Sequence, residues 1–194
     1  MPSVDFFRLG PLAEIDLETI RLWRNSDRVR LNMYSDHIIA PEEHRRWYDR
    51  TKDDPRWLYL IMEYDGQPAG VVNFRDIDRV AGSALWGFYL GRSDLPRGSG
   101  TVMGYLALNH AFMVEGWRTL SGEVLDFNEP SLRLFRRLGF DNAGCRDKQL
   151  IRNGRLVDII LYTMTAGRWL KRERPRVEAL VQKMAVAGTP MIRP

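Results

Sequence analysis

The stretch Leu90–Tyr105 limits most strongly what this chain can fold into. The apolar, aromatic run Ala84–Leu90 leads into it and the helix-like run Thr101–Val114 leads out, with Gly98 and Gly100 between them. A strand, a glycine-rich turn and a helix start together form an anion site, because free backbone N–H groups point out of the helix start and glycine lets a phosphate come close. Taken alone, the pattern indicates a phosphate loop and a plain tight turn equally well.

Composition predicts one ordinary globular domain. The chain has 194 residues, of which 44% are hydrophobic and 28% charged, enough for a full apolar core. Its one cysteine, Cys145, excludes an intrachain disulfide and a cysteine-based metal cluster, and a reducing, cytoplasmic location is the simplest interpretation. Because no run is apolar enough to span a bilayer and residues 1–10 carry no long apolar block, we predict neither membrane insertion nor a secretory signal.

The charge pattern separates the chain into two parts. Basic and acidic residues are interspersed up to about Ala166, which fits an anionic small ligand at least as well as nucleic acid, and we predict no nucleic-acid partner. The basic excess is densest over Arg168–Arg176. We therefore predict a domain over residues 1–166 and a basic C-terminal extension over residues 167–194. We expect the extension to be solvated and poorly packed, with a partner or membrane-surface role as the alternative.

Periodicity and turn residues predict an alternation of helices and strands. The predicted elements are a strand (Phe6–Leu12), helices (Asp16–Arg24, Arg28–Met33 and one beginning at Pro41), three meander strands (Trp57–Tyr64, Val71–Phe74, Ser83–Leu90), a helix (Thr101–Val114), a strand (Leu120–Phe127), a helix (Ser131–Leu138) and a hairpin (from Phe140, turning at Asn153–Gly154, returning over Leu156–Met164). The first two meander strands are joined by a turn that begins at Asp65–Gly66 and is expected to continue through Gly70. The predicted fold class is α/β in the α+β sense: one mixed, mostly antiparallel sheet flanked by helices. Gly87, inside the third meander strand, indicates a bulge or a close backbone approach.

This order of elements resembles the GNAT N-acetyltransferases, which use acetyl-CoA. In that family a loop of the form Arg/Gln-x-x-Gly-x-Gly/Ala before the central helix holds the CoA pyrophosphate. The matching window Leu95–Gly100 keeps both glycines but has leucine at its first position. A second shared feature is Asn128 after the next strand, followed by a short helix closed by Gly139–Phe140. The resemblance covers roughly Trp57–Thr165.

The front of the chain is similar to one GNAT subfamily, which acetylates the 4-amino group of UDP-4-amino-4,6-dideoxy-N-acetyl-β-L-altrosamine in pseudaminic acid biosynthesis. The residues that carry this similarity are Trp23, Arg24, Asn25, Met33, Tyr34, Glu43, His44, Trp47, Gly87–Tyr89, Glu123–Leu125, Gly154, Asp158 and Tyr162. Some of this pattern is shared with ribosomal-protein and polyamine acetyltransferases of the same superfamily.

The resemblance implies an acetyl-CoA-dependent N-acetyltransferase in which the amine of a UDP-linked amino-dideoxy sugar attacks the thioester directly. The alternatives are an enzyme that acetylates a protein N-terminus or a polyamine, and a non-catalytic module that binds acyl-CoA. A polyamine requires an acidic pocket, whereas Arg24, Arg28 and Arg30 favour an anionic acceptor. The expected small-molecule partners are acetyl-CoA and the UDP-amino sugar, and the sequence leaves a homodimer open.

The resemblance also implies which residues form the two binding sites. The cofactor site comprises Phe88, Leu90, Arg97, Gly98, Ser99, Gly100, Thr101, Asn128, Ser131 and Phe135. The acceptor site comprises Arg24, Met33, Tyr34, His44, Trp47, Asn73, Tyr89 and Glu123. Backbone N–H groups around Arg97–Thr101 are expected to hold the pyrophosphate. Those of Phe88–Leu90, where a bulged strand splays from its neighbour, are expected to bind the oxyanion.

Glu123 and Tyr89 are the predicted catalytic residues. Glu123 lies in a largely apolar strand, where an unpaired buried carboxylate costs on the order of several kcal/mol, so it needs a partner. Arg24 is the candidate structural partner and the substrate is the functional one. In the site, Glu123 would orient the substrate or accept its proton through water.

Phe135 departs from the resembled pattern, which has a tyrosine there to protonate the CoA thiolate. A simple thiol has a pKa of about 8.5, so its thiolate leaves fairly well unaided. We therefore expect activity to survive, with water, Tyr89 or Ser131 supplying the proton. No metal-ligand spacing occurs in the sequence, and we predict no metal.

Overall fold

The computed structural model describes residues 6–152 and 154–186. Its strands are β1 (Phe7–Pro11), β2 (Leu58–Tyr64), β3 (Gln67–Asp78), β4 (Ser83–Leu90), β5 (Thr119–Leu125), β6 (Asp141–Arg152) and β7 (Arg155–Thr165). Its helices are α1 (Leu17–Asn25), α2 (Asp27–Arg30), α3 (Pro41–Thr51), α4 (Ser99–Asn109), α5 (Glu129–Leu138), α6 (Ala166–Arg168) and α7 (Arg174–Val186). No helix in this described part of the chain has the length and apolarity needed to cross a membrane.

The strands form one seven-stranded sheet in the order β1-β2-β3-β4-β5-β7-β6. Every neighbouring pair is antiparallel except β4 and β5, which are parallel. Helices α1 and α3 cover one face around Ile20 and Val71, while α4 and α5 pack on the other face, which holds the larger apolar core. The predicted fold class, a mixed and mostly antiparallel sheet flanked by helices, is confirmed.

Strands β4 and β5 pair over only part of their length. Their register runs from Ser83 opposite Thr119 to Trp86 opposite Gly122 and ends there, although β4 continues to Leu90. The two strands therefore diverge beyond Trp86 and open a cleft in the middle of the sheet. This is the splayed segment that the sequence predicted at Phe88–Leu90.

The structure has no bulge at Gly87, one of the two possibilities predicted from the sequence. The pairing of β3 with β4 is regular at this position, where Asn73 lies opposite Gly87. A Cβ on Gly87 would lie 2.8 Å from Oδ1 of Asn73, so glycine leaves room for that amide. The glycine therefore serves a close approach, the second option that the sequence had offered.

The turn between β2 and β3 is shorter than predicted. Asp65 and Gly66 both have left-handed φ angles, +52° and +70°, as a two-residue hairpin turn requires, and β3 begins directly at Gln67. We expected the turn to continue through Gly70. That glycine instead lies inside β3, where a Cβ would be 2.6 Å from the Tyr89 carbonyl oxygen, so it permits two strands to approach closely.

The segment after Ala166 corrects the prediction of a solvated, poorly packed extension. Trp169 is fully buried, and its indole Nε1 donates to Oδ1 of Asn109 at 3.1 Å. Val177 and Val181 of α7 are also buried in the main core. These apolar side chains recur among the basic ones and dock the segment onto α4. Residues 187–194 of the predicted extension lie outside the described residues.

Glu173 is a buried acid that gathers three of the basic side chains of this segment around it. Its carboxylate is buried and lies within ion-pair distance of Arg168, Arg172 and Arg176 at 3.4, 3.4 and 2.8 Å. Gly139 makes room for it, since a Cβ there would lie 2.3 Å from the Glu173 carboxyl carbon. The basic residues of the segment therefore surround an internal acid.

Candidate active site

The cleft between β4 and β5 belongs to a continuous cavity of about 1100 Å³. One end lies between α1, α3 and the sheet, and the other lies between the N-terminus of α4 and helix α5. The acceptor residues predicted from sequence (Arg24, Met33, Tyr34, His44, Trp47, Asn73, Tyr89 and Glu123) all line this cavity. The structure thus brings together groups that lie up to 99 positions apart, from Arg24 to Glu123.

Most of the predicted cofactor residues line the opposite end of the same cavity. They are Phe88, Leu90, Gly98, Gly100, Thr101, Asn128, Ser131 and Phe135. Arg97 and Ser99 are not among the lining residues: Arg97 is exposed, and the buried Ser99 donates its hydroxyl to the Pro96 carbonyl at 2.7 Å.

The turn before α4 is built for an approaching anion. Gly98 caps the helix with a left-handed φ of +95°, a conformation that glycine adopts without strain. The N–H groups of Ser99 and Thr101 are used within the turn, by the carbonyls of Pro96 and Gly98. In the described part of the chain, the backbone N–H of Gly100 therefore remains in the first turn as a donor for a ligand. Leu95, at the degenerate motif position, packs against the core.

Glu123 is held by three side chains. Its Oε2 accepts from the Tyr34 hydroxyl at 2.7 Å and from Nη2 of Arg75 at 3.3 Å, and Nη2 of Arg146 contacts Oε1. The predicted ion pair with Arg24 is wrong, because Arg75 and Arg146 take that place. Because neighbouring side chains engage both carboxylate oxygens, this arrangement suits an orienting group better than a base.

Arg24 lies in the acceptor end with unused donor capacity. Its Nη2 donates to the Ser35 carbonyl at 2.6 Å. Its Nη1 is buried and meets no hydrogen-bond partner within residues 6–152 and 154–186. Burial lowers the pKa of Arg24, and the charges of Arg30 and Arg152 lower it further. A desolvated guanidinium of this kind is suited to an anion arriving in the cavity.

Aromatic rings form one wall of the acceptor end. The His44 and Trp47 rings stack with centroids 4.8 Å apart, and Trp47 meets Tyr59 edge-on at the same distance. His44 is 7% exposed, and burial lowers the pKa of its imidazole, so the ring is neutral near pH 7. Flat apolar faces beside a neutral imidazole can stack on a planar heterocycle.

Tyr89 lies on the same face of the sheet, next to Ile20. Burial raises the pKa of its phenol, so the hydroxyl remains protonated at physiological pH. The phenol makes a long contact of 3.5 Å to the Ile20 carbonyl oxygen. Tyr89 can therefore act as a hydrogen-bond donor in the cavity but not as a base.

Phe135 fills the space behind the cleft. It is 1% exposed, and its ring packs against Trp86, Phe140 and Tyr162 with centroids 5.2, 4.7 and 4.7 Å away. Gly122 of β5 admits the ring, since a Cβ there would lie 2.2 Å from it. The position expected to hold an acid is thus an apolar packing position.

Sequence reasoning missed a hydrogen-bonded chain at the rim of the acceptor end. The Ser35 hydroxyl lies 2.6 Å from Nδ1 of His37, and Nε2 of His37 lies 2.7 Å from Oε1 of Glu43. No motif in the sequence includes His37. His37 and Glu43 are six positions apart with a loop between them, so neither helical nor strand periodicity predicts that they meet.

Arg75 was also missed, although a signal existed. It follows Asn73 by two positions in β3, so both side chains face the same side of the sheet. The pattern of alternating polar residues in this strand therefore indicated a second site residue. Arg146 gave no such signal, because its reach to Glu123 depends on how β6 pairs with β7.

The prediction of no metal remains a prediction. On the β6–β7 hairpin, ligand atoms of Cys145, Asp147 and Asp158 lie within 4.8 Å of one another. Cys145 and Asp147 are exposed, and burial raises the pKa of the Cys145 thiol, which disfavours the thiolate.

A family model described as "Acetyltransferase (GNAT) domain" matches residues 7–141. The chain belongs to the GNAT acetyltransferase family. It is an acetyl-CoA-dependent N-acetyltransferase of the GNAT type, with the cavity across the β4–β5 cleft as its candidate active site.

Three proteins that are similar to this chain in sequence carry three different names. The spermidine N(1)-acetyltransferase of Escherichia coli is 24% identical over 95% of this chain and 100% of its own. Acetyltransferase PseH of Campylobacter jejuni is 29% identical over 69% of this chain and 83% of its own. The uncharacterized N-acetyltransferase YokL of Bacillus subtilis is 28% identical over 72% of this chain and 79% of its own.

The fold is also similar to solved structures. The spermidine N-acetyltransferase of Vibrio cholerae, in complex with CoA and spermine, superposes with a TM-score of 0.81 at 17% identity, over 86% of this chain and 99% of that one. This likeness supports the GNAT fold.

Proposed function

We propose that this enzyme transfers the acetyl group of acetyl-CoA to the 4-amino group of a UDP-linked amino-dideoxy sugar, of the type used in pseudaminic acid biosynthesis. The observation that carries the proposal is the unpartnered, buried Nη1 of Arg24 in the acceptor end of the cavity. A nucleotide diphosphate supplies the anion that this guanidinium lacks, and a polyamine does not.

The charge of the lining supports an anionic acceptor. Arginines of the acceptor end are Arg24, Arg28, Arg46, Arg50 and Arg75. The acidic lining residues are Glu43 and Glu123, and both are already paired, Glu43 with His37 and Glu123 with two arginines. A polycation entering here would face five arginines against two carboxylates, both of which already have hydrogen-bond partners.

The remaining lining residues fit a nucleotide sugar. The stacked His44 and Trp47 rings offer a face for the uracil or the sugar ring. Asn73 lies over the side-chain-free position of Gly87 and can bond a sugar hydroxyl or amide. Glu123, held by Tyr34, would orient the acceptor amine toward the thioester.

The reaction follows from this placement. The neutral amine attacks the thioester carbon, and the oxyanion is stabilised by those backbone N–H groups of Phe88–Leu90 that point away from β3, toward the side that β5 leaves open. Collapse breaks the C–S bond, the amine nitrogen loses its proton to water, and the thiolate leaves. A water molecule then supplies the thiol proton, since Phe135 has none, and the protonated phenol of Tyr89 can donate a hydrogen bond to the leaving sulfur.

A polyamine is the second candidate acceptor. The full-length similarity to the spermidine N(1)-acetyltransferase of Escherichia coli favours it. An enzyme acting on a protein N-terminus and a non-catalytic acyl-CoA-binding module remain alternatives. The cytoplasmic location and a homodimeric assembly also remain predictions.

An acceptor panel tests the proposal. We would incubate the enzyme with acetyl-CoA and UDP-4-amino sugars, spermidine, spermine or an N-terminal peptide, titrate released thiol and identify products by mass spectrometry. The proposal expects thiol release and a 42-Da mass gain with the UDP-amino sugar, the size of one acetyl group in place of hydrogen. CoA binding without thiol release on any amine would support the non-catalytic alternative, and turnover of spermidine alone would establish the second candidate.

A further inference from the structure

We propose that Arg133 and Arg137 of α5 bind the 3′-phosphate of CoA. The inference concerns the cofactor end of the cavity and does not depend on which amine is acetylated. It does rest on the use of acetyl-CoA by this protein.

Helix α5 presents these two arginines on one face. They are four positions apart, so their side chains are neighbours along the helix. The opposite face is buried through Leu134, Phe135 and Leu138, which fixes the rotation of the helix. Both arginines line the cavity together with the residues of the turn before α4, whereas Arg136 between them does not.

A hydrogen bond fixes Arg137 beside the first turn of α4. Its Nη1 donates to Oγ1 of Thr101 at 3.2 Å, and Thr101 is buried. Its carbonyl accepts from Nη2 of Arg176 at 2.6 Å, which anchors the backbone at the same point. Within residues 6–152 and 154–186, Arg137 forms no ion pair, so its charge is available to a ligand.

Arg133 is engaged only weakly. It forms an ion pair with Glu129 at 3.3 Å, and both side chains are more than half exposed. Exposed pairs of this kind contribute at most about 1 kcal/mol, so a dianionic phosphate can compete for the guanidinium. The two arginines together can provide a planar, multidentate site for a phosphomonoester.

The covalent structure of CoA indicates which of its phosphates would lie beside Arg133 and Arg137. The turn before α4, with its glycines and the N–H of Gly100, suits the pyrophosphate. The 3′-phosphate sits on the ribose beyond the pyrophosphate, on the side away from the thioester. Arg133 and Arg137 lie beside that turn on the neighbouring helix, at the end of the cavity opposite the acceptor residues.

Binding of CoA and of 3′-dephospho-CoA separates this role from a pyrophosphate contact. Dissociation constants would be measured by calorimetry, without any acceptor, for the unmodified protein and for Arg133→Gln, Arg137→Gln and the double variant. Arg136→Gln is the matched control, because it removes the same charge from the same helix outside the cavity. We expect the unmodified protein to prefer CoA at least about tenfold, corresponding to one charge-assisted hydrogen bond.

Arg137→Gln should weaken CoA binding about tenfold and leave 3′-dephospho-CoA unchanged, and the double variant should abolish the preference. Equal weakening of both ligands would place the arginines on the pyrophosphate or in the fold and would overturn the inference. Equal affinity of the unmodified protein for CoA and 3′-dephospho-CoA would overturn this inference and leave the proposed function standing. A protein that binds neither ligand would overturn both this inference and the proposed function.

Discussion

The Tyr34 hydroxyl donates to Glu123 across 2.7 Å, and this contact ties the loop after α2 to the middle of the sheet. The two residues lie 89 positions apart in the chain. Their contact, together with the arginines on the same carboxylate, positions a fixed negative charge where β4 and β5 diverge. We propose that Glu123 directs the acceptor and does not itself transfer a proton.

Replacing Glu123 by glutamine should therefore damage turnover more than cofactor binding. An amide cannot satisfy Arg75 and Arg146 together, so the acceptor end loses its geometry, and kcat should fall about 10- to 100-fold. The Kd for CoA, measured by calorimetry, should stay constant. Tyr34→Phe removes one neutral donor and is the milder control. An unaffected rate in Glu123→Gln would remove Glu123 from the site.

The Phe135→Tyr variant tests whether a general acid at this position would speed protonation of the CoA thiolate. The added hydroxyl should raise kcat modestly, because the thiolate leaves fairly well unaided and a general acid adds less here than its usual ~10²–10⁴-fold. The ring is tightly packed against Gly122, so a loss of stability of about 1–3 kcal/mol should accompany the gain. Steady-state rates from pH 6 to 9 and urea denaturation measure both. A rate unchanged at every pH would show that thiol protonation never limits turnover.

The segment after Ala166 should be required for stability. Trp169 is fully buried and bonded to Asn109, so Trp169→Ala should lower the free energy of unfolding by roughly 3–5 kcal/mol. Leu170→Ala, at an exposed neighbouring position, should change it by less than about 1 kcal/mol. Urea denaturation at fixed pH measures both variants. Equal free energies of unfolding for the two variants would contradict the docking of this segment and would support the solvated extension predicted from its charge.

His44 should make stability depend on pH. Burial holds the pKa of its folded-state imidazole below the unfolded value, so the unfolded chain binds the proton more readily. The stability it contributes is fully present above the unfolded pKa of about 6.5 and is lost as the pH falls below it. His44→Gln should therefore flatten the decrease in unfolding free energy between pH 7.5 and 5.5. A slope identical to that of the unmodified protein would contradict this origin.

Local patterns predicted much of the fold. Strand β4 occupies the predicted Ser83–Leu90, and the Pro41 helix start, the Asp65–Gly66 turn and the Gly139 helix stop are all present. Gly70 was misassigned because a glycine that relieves a close strand contact cannot be distinguished locally from a turn glycine.

The resemblance supplied positions for the candidate site, and every predicted acceptor residue lines the cavity; that these residues bind an acceptor stays a prediction. The partners of Glu123 were not predictable, because Arg75 and Arg146 reach it only through strand pairings distant in sequence. The docking of the basic segment was missed for a related reason. Its charge dominated the composition, while its stability depends on a few apolar side chains such as Trp169 and on one internal acid, Glu173.

The central claim, an anionic acceptor, is tested most directly by the ratio of kcat/KM for the UDP-4-amino sugar to that for spermidine, in the unmodified enzyme and in Arg24→Gln. The account predicts that the nucleotide sugar is preferred. Arg24→Gln should lower its kcat/KM about 10- to 100-fold, the loss of one hydrogen-bonded charge pair, and leave the value for spermidine unchanged. A preference for spermidine that Arg24→Gln leaves intact or increases would contradict the account.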